Sequence, residues 1–329
     1  MKSIPKKPLC MLAPFALVCA AAIPAAHAQD KPSDYPLRPI RIIVPVAPGG
    51  GNDTIARAAG QMLSDKWGQT VVVDNRSGGG TVIATELTAQ APPDGYTMMC
   101  ATDTIMVIGA MKRVPFDIRK AFDPIVPMTM QPYILVMNLG VPVKSVKEFI
   151  AYSKTKPLTY GSSGVGTTVH LGMERLASVT GAKLVHVPFK GTAPALIATM
   201  SGEVDMVPAS AISGSAALKT GKVRALGVMG LTRLPALPDL PTIAEQGLPG
   251  FKIVNTYNLF APAGVPKHIQ AAINRVVSEG MHSPQMSQKL LADGSQPAER
   301  MTPERFKAHV AREYVEVEKL VKLLNIKMY

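Results

Sequence analysis

YPLRPIRIIVPVAPGGGNDTIAR, residues 35–57, joins a nearly continuous β-branched run to a glycine turn and then to an amphipathic stretch. Residues 40–46 read as a strand buried on both faces, the pattern of a parallel sheet. Pro48-Gly49-Gly50-Gly51 ends it, and a helix is expected from Asn52 or Asp53 to Trp67, with Ile55, Ala59, Met62 and Leu63 on one face. Glycines at that junction leave backbone N–H groups uncovered at the positive end of the helix, which attracts a carboxylate or phosphate. The same residues would equally make a tight turn capped by Asn52 or Asp53.

The strand–helix alternation continues outward from this unit. Strands are expected at residues 71–73 and 96–100, a helix at 82–91, and an extended segment at 125–136. After Pro142 come helices at 146–152, 167–179 and 192–200, with strands at 158–160, 184–187, 204–207 and 223–229. Such alternation implies a largely parallel sheet covered on both faces. The proline-rich stretch 235–249 is expected to carry the chain back between lobes. Two closing helices show apolar stripes, Ile269, Ile273, Val276 and Val277, then Phe306, Val310, Tyr314, Val317 and Val321, which suit core packing.

Two further loops follow strands and open helices. Gly161-Ser162-Ser163-Gly164-Val165-Gly166-Thr167-Thr168 adds hydroxyls to bare backbone donors, but it lacks the Gly-Lys-Ser/Thr ending of a nucleotide loop. In Phe189-Lys190-Gly191-Thr192, Thr192 is a candidate helix cap, and Lys190 meets either an anion or water. Catalytic constellations are thin. His170 and His186 stand isolated, no clustered carboxylates or metal-ligand spacings occur, and the nucleophile elbow Gly-x-Ser-x-Gly is absent. Cys100 has no base in sequence reach and reads as a buried, inert thiol. No enzyme activity, metal or cofactor is expected.

Residues 1–28 have the order of a secretory leader: Lys2, Lys6 and Lys7, an apolar stretch from Leu9 to Ile23, and Ala26-His27-Ala28. Val18 before Cys19 argues against lipidation, so a free protein starting near Gln29 is expected. Losing the three lysines lowers the net charge from +12 to +9, and it leaves Cys100 as one cysteine without a disulfide partner. The remaining basic residues are scattered, with no aromatic interleaving, which favours small anions over nucleic acid.

The chain resembles the periplasmic solute receptors of tripartite tricarboxylate transporters, the Bordetella-uptake-gene type of extracytoplasmic receptor. The motifs that carry the resemblance are residues 35–57 with GQTVVVDNRSGGG (68–80), PPDGYTMM (92–99), YGSSGVGTTVHL (160–171), HVPFKGTAPALIATMSGEVD (186–205), LPTIAEQGLPGF (240–251) and FAPAGVP (260–266). The resemblance implies an α/β, two-lobed flytrap fold of type II-like periplasmic binding proteins, each lobe a mainly parallel sheet flanked by helices. Residues 29–137 and 253–329 would form one lobe and 138–252 the other. It further implies a monomeric periplasmic receptor that holds a di- or tricarboxylate, or a related carboxylate, and delivers it to a membrane permease. A sensor feeding a signalling system is the alternative. The implied ligand contacts are Ala47, Pro48, Gly49, Gly50, Asn52 and Thr102 from one lobe, and Ser162, Ser163, Gly164, Gly166, Thr167, Gly191 and Thr192 from the other. Asp205 matches a family acid facing the cleft, either as a ligand partner or as a structural group. The chain departs from the family pattern at Val46 (usually aromatic), Ser77 (often proline), Thr81 (usually glycine), Thr256 (often tryptophan) and Asn258 (often glycine).

Overall fold

The computed structural model describes Met1 and residues 34–292 and 294–324; the rest of the expected leader, with Cys10 and Cys19, lies outside the described residues. Strand β1 (Ile40–Val44) is buried at every position but Arg41. It pairs in parallel with β2 (Val71–Asn75) and β3 (Thr97–Thr102). Helices α1 (Gly51–Trp67) and α2 (Val82–Ala89) cross over between these strands. Next come α3 (Thr104–Ala110), the single turn α4 (Ile118–Ala121) and β4 (Phe122–Asn138), a strand of 17 residues.

The second lobe follows in order: α5 (Val146–Thr155), β5 (Leu158–Ser162), α6 (Thr168–Thr180), β6 (Leu184–Pro188), α7 (Thr192–Ser201), β7 (Met206–Ser210), α8 (Ala211–Leu218) and β8 (Val223–Val228). The chain returns through β9 (Val254–Pro262) and ends with α9 (Lys267–Met281), α10 (Pro284–Ala292), β10 (Gln296–Pro297) and α11 (Pro303–Leu324). The strand order is β2-β1-β3-β9-β4-β7-β5-β6, with β8 and β10 also on β4.

The sheets are mixed rather than mainly parallel. β9 runs antiparallel between β3 and β4, and β4 is antiparallel to β7 and β8. Parallel pairing holds for β1 with its two neighbours and for β5 with β6 and β7. The reason is the return path: a chain that leaves one lobe along β4 comes back along β9 in the opposite direction. The proline-rich stretch 235–249 does not make that crossing. Thr242 bridges to Val228, and Ile243, Phe251 and Ile253 pack into the second lobe's core.

Each sheet is covered on both faces. In the first lobe one core layer lies under α1 and α9, including Ile55, Leu63, Ile273 and Val277. The other lies under α3 and α11, including Met99, Phe260, Phe306 and Tyr314. The expected stripes on α9 and α11 therefore face the core. Phe260 stands between Phe122 and Phe306, with ring centroids 6.4 and 6.0 Å away, and so pins α11 to the sheet. The far end of α11 reaches further: Val317, Leu320 and Val321 pack with Val107 and Met111 of their own lobe and with Leu171 of α6 in the other.

Among the described residues no helix is long and apolar enough to cross a membrane. Replacing Phe260 by alanine leaves a cavity beneath α11, with an expected loss of about 3–5 kcal/mol in urea denaturation. A loss below about 1 kcal/mol would show that α11 is held by other contacts.

Candidate functional site

The parallel strands of both lobes end at one gap. After β1, the Ala47 N–H donates to the Lys190 carbonyl, which follows β6, at 2.9 Å. After β2, Gly80 abuts the Val165 carbonyl in the loop after β5. The Arg113 guanidinium, from the segment after α3, donates to that same carbonyl. After β3, Thr104 Oγ1 accepts the Thr168 N–H at 3.1 Å and lies 3.2 Å from Thr168 Oγ1. Ser210, the last residue of β7, lies against Gly51. In open α/β sheets, ligands bind outside the carboxyl ends of the strands, and here two sets of such ends face each other.

The first loop is not a side-chain-capped turn. Gly50 is the N-cap of α1 and, having no side chain, makes no side-chain cap bond. Asn52 points inward, its Oδ1 accepting the Cys100 thiol at 2.9 Å. Asp53 accepts the Gly49 N–H at 3.1 Å, and Arg57 and Asn75 also donate to it. Burial works against ionisation of Asp53, but Arg57, the Gly49 N–H and Asn75 together hold its carboxyl below the usual range. The first helical bond is Thr54 N–H to the Gly50 carbonyl at 3.1 Å. The N–H groups of Gly51, Asn52 and Asp53 therefore stay outside the helix ladder. Helix α7 repeats the device: Gly191, at φ +137°, is its cap without a side-chain bond. A Cβ at Gly191 would lie 3.2 Å from the Ala47 nitrogen. Thr192 is thus the first helical residue rather than the cap.

In the second loop the hydroxyls hold the loop itself. Ser162 is fully buried, accepts the Gly164 N–H at 3.0 Å and lies 2.6 Å from His186 Nε2. Thr167 caps α6, accepting the His170 N–H at 3.3 Å. Gly166 gives its N–H to His170 Nδ1 at 3.1 Å, which places the His170 proton on Nε2. Ser163 and Thr102 are partly exposed, as are Ala47 and Thr192, while Pro48 and Gly49 are exposed. Thr102 Oγ1 accepts the Thr104 N–H at 3.3 Å.

Asp205 does not join this group. It stands before β7, at the opposite end of the strands, and accepts from Thr159 N–H and Oγ1 at 2.7 and 2.8 Å. Its role is to tie the start of β5 to the start of β7.

Three features escaped the sequence. His170 and His186 are not isolated: their rings stack at 4.0 Å, and Tyr160 covers the far face of His186 at 5.0 Å. Tyr160, His170 and His186 lie on the successive elements β5, α6 and β6, so no local spacing announces the stack. The Tyr257 hydroxyl lies against Gly51 within hydrogen-bonding reach of Ser210, and burial pushes that phenol well up. Asp103, directly after β3, accepts from Thr256 Oγ1 and from Asn258 Nδ2, the latter at 3.3 Å. Two departures from the family pattern therefore converge on one carboxyl. A third, Thr81, sits in the left-handed region at φ +82°, where glycine is favoured, and its buried Oγ1 has no hydrogen-bond partner among the described residues. Cys100 is buried, and desolvation raises its thiol pKa well above the ordinary value. Among the described residues no group of three His, Cys, Asp or Glu could hold a metal ion.

Burial, then the neighbouring His170, push His186 down to about 3 from 6.5. The native ring therefore refuses a proton that the unfolded chain takes up, and stability falls as pH drops from about 6.5 toward 3. Asp103 acts in the opposite sense: burial and Glu313 outweigh its hydrogen bonds and raise it to about 6 from 3.8, so it gains a proton in the native state over that window. Thermal midpoints of His186→Gln are expected to fall less between pH 6.5 and 4 than those of the parent chain. Parallel curves would exclude the ring as the titrating group.

The family model described as the tripartite tricarboxylate transporter family receptor matches residues 55–326. The UPF0065 protein in the tcbD-tcbE intergenic region of Pseudomonas sp. (strain P51) is 35% identical over 284 residues, covering 85% of this chain and 84% of its own. Among solved structures, R. palustris Rpa4515 with adipate gives a TM-score of 0.84 at 33% identity, over 89% of this chain and 99% of that one. MatC (Rpa3494) from Rhodopseudomonas palustris with bound malate gives 0.82 at 30% identity, over 87% of this chain and 100% of that one. The family match over most of the chain, the relatives at 30% identity or more and the shared fold agree, and the chain belongs to the tripartite tricarboxylate transporter family of receptors, which are transport proteins rather than enzymes.

Proposed function

We propose that this chain is a periplasmic receptor that closes on a small organic carboxylate and hands it to the membrane permease of a tripartite transporter. The observation that carries the reading is the pair of glycine-capped helices, α1 and α7, which come from opposite lobes and meet at the Ala47–Lys190 hydrogen bond. Their first-turn N–H groups and helix dipoles favour a carboxylate between them. The relatives solved with adipate and malate support the ligand class.

In this reading residues 29–137 and 253–329 form one lobe and 138–252 the other, and the receptor works as a monomer. The ligand contacts are backbone groups of Ala47, Gly50 and Asn52, of Ser163 and Gly164, and of Gly191 and Thr192. The hydroxyls of Ser162 and Thr167 and the N–H groups of Gly49 and Gly166 shape the loops that present them. Each lobe supplies part of the donor set, so solute shifts the population toward the closed arrangement. A leader at residues 1–28 places the receptor where it meets solutes.

Glycine is required where the loops touch. Gly164 has φ +131°, and a Cβ there would lie 2.9 Å from Gly80 Cα in the other lobe. A Gly164→Val chain has to adopt strained backbone and push the lobes apart, costing about 1–3 kcal/mol, or about fivefold to a hundredfold in affinity. Lys190→Ala should change affinity little, because Lys190 is exposed and contributes its carbonyl. Calorimetric titration with a panel of di- and tricarboxylates tests both variants. Equal affinities for Gly164→Val and the parent would remove this loop from the site.

A further inference from the structure

We propose that Arg113 is a positioning residue for closure: its guanidinium holds the Val165 carbonyl of the opposite lobe in a socket beside Gly80, and so tightens the grip on every solute without touching any. The inference rests on the receptor reading above and deepens it, because a bond between lobes matters to binding only if the lobes part.

One wall of the socket is the chain leaving α3. Lys112 ends that helix in the left-handed region at φ +54°, with its N–H on the Gly109 carbonyl and the Arg113 N–H on the Ile108 carbonyl, each at 2.9 Å. Paired bonds of this kind close a helix with a tight reversal, and here they anchor Arg113 to the first lobe. The other wall is the turn after β2. Gly80 has φ +60°, and a Cβ there would fall on the Val165 oxygen and lie 2.7 Å from Arg113 Nη1. Thr81 follows in the same left-handed region, with its buried hydroxyl unpartnered among the described residues. Backbone strain of that kind collects at clamps and switch regions.

The second lobe aims one group at this socket. Val165 stands between Gly164 at φ +131° and Gly166 at φ +75°, and the Gly166 N–H is held by His170. The loop therefore presents the Val165 carbonyl in one direction, toward Gly80 and the Arg113 guanidinium.

Charge gives the contact its strength. Arg113 is partly buried, and among the described residues no carboxylate pairs with it; the Val165 carbonyl is the hydrogen-bond partner of its guanidinium. A cation drawn out of water without a counter-charge is costly, and a charged donor bonds a carbonyl more strongly than a neutral one does. Parting the lobes exchanges that bond for water, so closure gains the net difference rather than the bond's full strength. The neighbours of Arg113 are Gly80, Met111, Val165 and Gly166, none of them at the starts of α1 and α7. Its influence on binding is therefore carried by the lobes and is blind to the solute's chemistry.

The test compares the parent chain with three variants. Arg113→Met keeps an unbranched side chain and loses every donor, Arg113→Lys keeps the charge, and Gly80→Ala crowds the same carbonyl from the other wall. Affinities are measured by calorimetry, and dissociation rates by stopped flow, with succinate, malate, adipate and citrate. Arg113→Met and Gly80→Ala are expected to weaken every acid that the parent binds by one common factor, about tenfold, through faster dissociation, as the loss of one charge-assisted hydrogen bond implies. Arg113→Lys should fall between parent and Arg113→Met. A loss that grows with the number of carboxylates would put Arg113 on the solute, overturning the inference and leaving the receptor reading intact. Unchanged affinities in both variants do the same. The two variants reach one carbonyl from different segments, so misfolding of either leaves the other to decide. If the parent binds none of the four acids, the receptor reading falls, and spin labels at Gln61→Cys and Lys156→Cys, exposed positions on opposite lobes, judge the socket alone. A longer label distance in Arg113→Met than in the parent supports it, and equal distances overturn it as well.

Discussion

Strand β4 carries one backbone ladder through two sheets: Pro132 is the last residue paired with β9 and Tyr133 the first paired with β7. The lobes are therefore joined by a shared strand and its antiparallel neighbour, not by a free linker. Proline lacks the N–H that a ladder needs, and the pairing with β9 shifts register beside Pro124 and beside Pro127. Such irregularities bend and twist a strand locally. Everything at the gap follows from this axle, because it sets the carboxyl ends of β1, β2 and β3 opposite those of β5, β6 and β7.

Much of this was legible in the chain. Strand β1, its glycine turn and α1 are written in local pattern, and so are the stripes of α9 and α11. What local pattern misses has a physical reason in each case. Helix α8 is built from Ala, Ser, Ile, Gly and Leu without a stripe. Strand β9 hides because Asn255, Thr256 and Asn258 interrupt its apolar positions, and of these Asn255 and Asn258 are buried. Local rules fail most readily where function places side chains that packing alone would not choose. Asp205 shows the converse: a motif match gave a residue but not its direction, and the hydrogen bonds to Thr159 turn it away from the gap.

The site divides its labour between backbone and side chain. Hydroxyls that look like ligand groups in sequence, Ser162 and Thr167, are occupied within their own loop. Asp53 is likewise occupied, holding the Gly49 N–H and Arg57. These bonds fix the turns before any solute arrives, which leaves rigid main-chain donors at the gap. Preorganised donors lose little entropy when a ligand binds. The stacked imidazoles belong to the same scaffold, since His170 takes the Gly166 N–H and His186 pairs with Ser162.

The last helix gives closure a thermal signature. Leu171 belongs to the second lobe, yet it is buried against Val107, Met111 and the end of α11 in the first. Moving the lobes apart would wet that apolar patch, and bringing them together would dry it again. Burial of apolar surface lowers the heat capacity of a complex. In the proposed closure, solute binding would carry a negative heat-capacity change with a share that comes from protein meeting protein, a share set by the reach of α11 rather than by the chemistry of the solute.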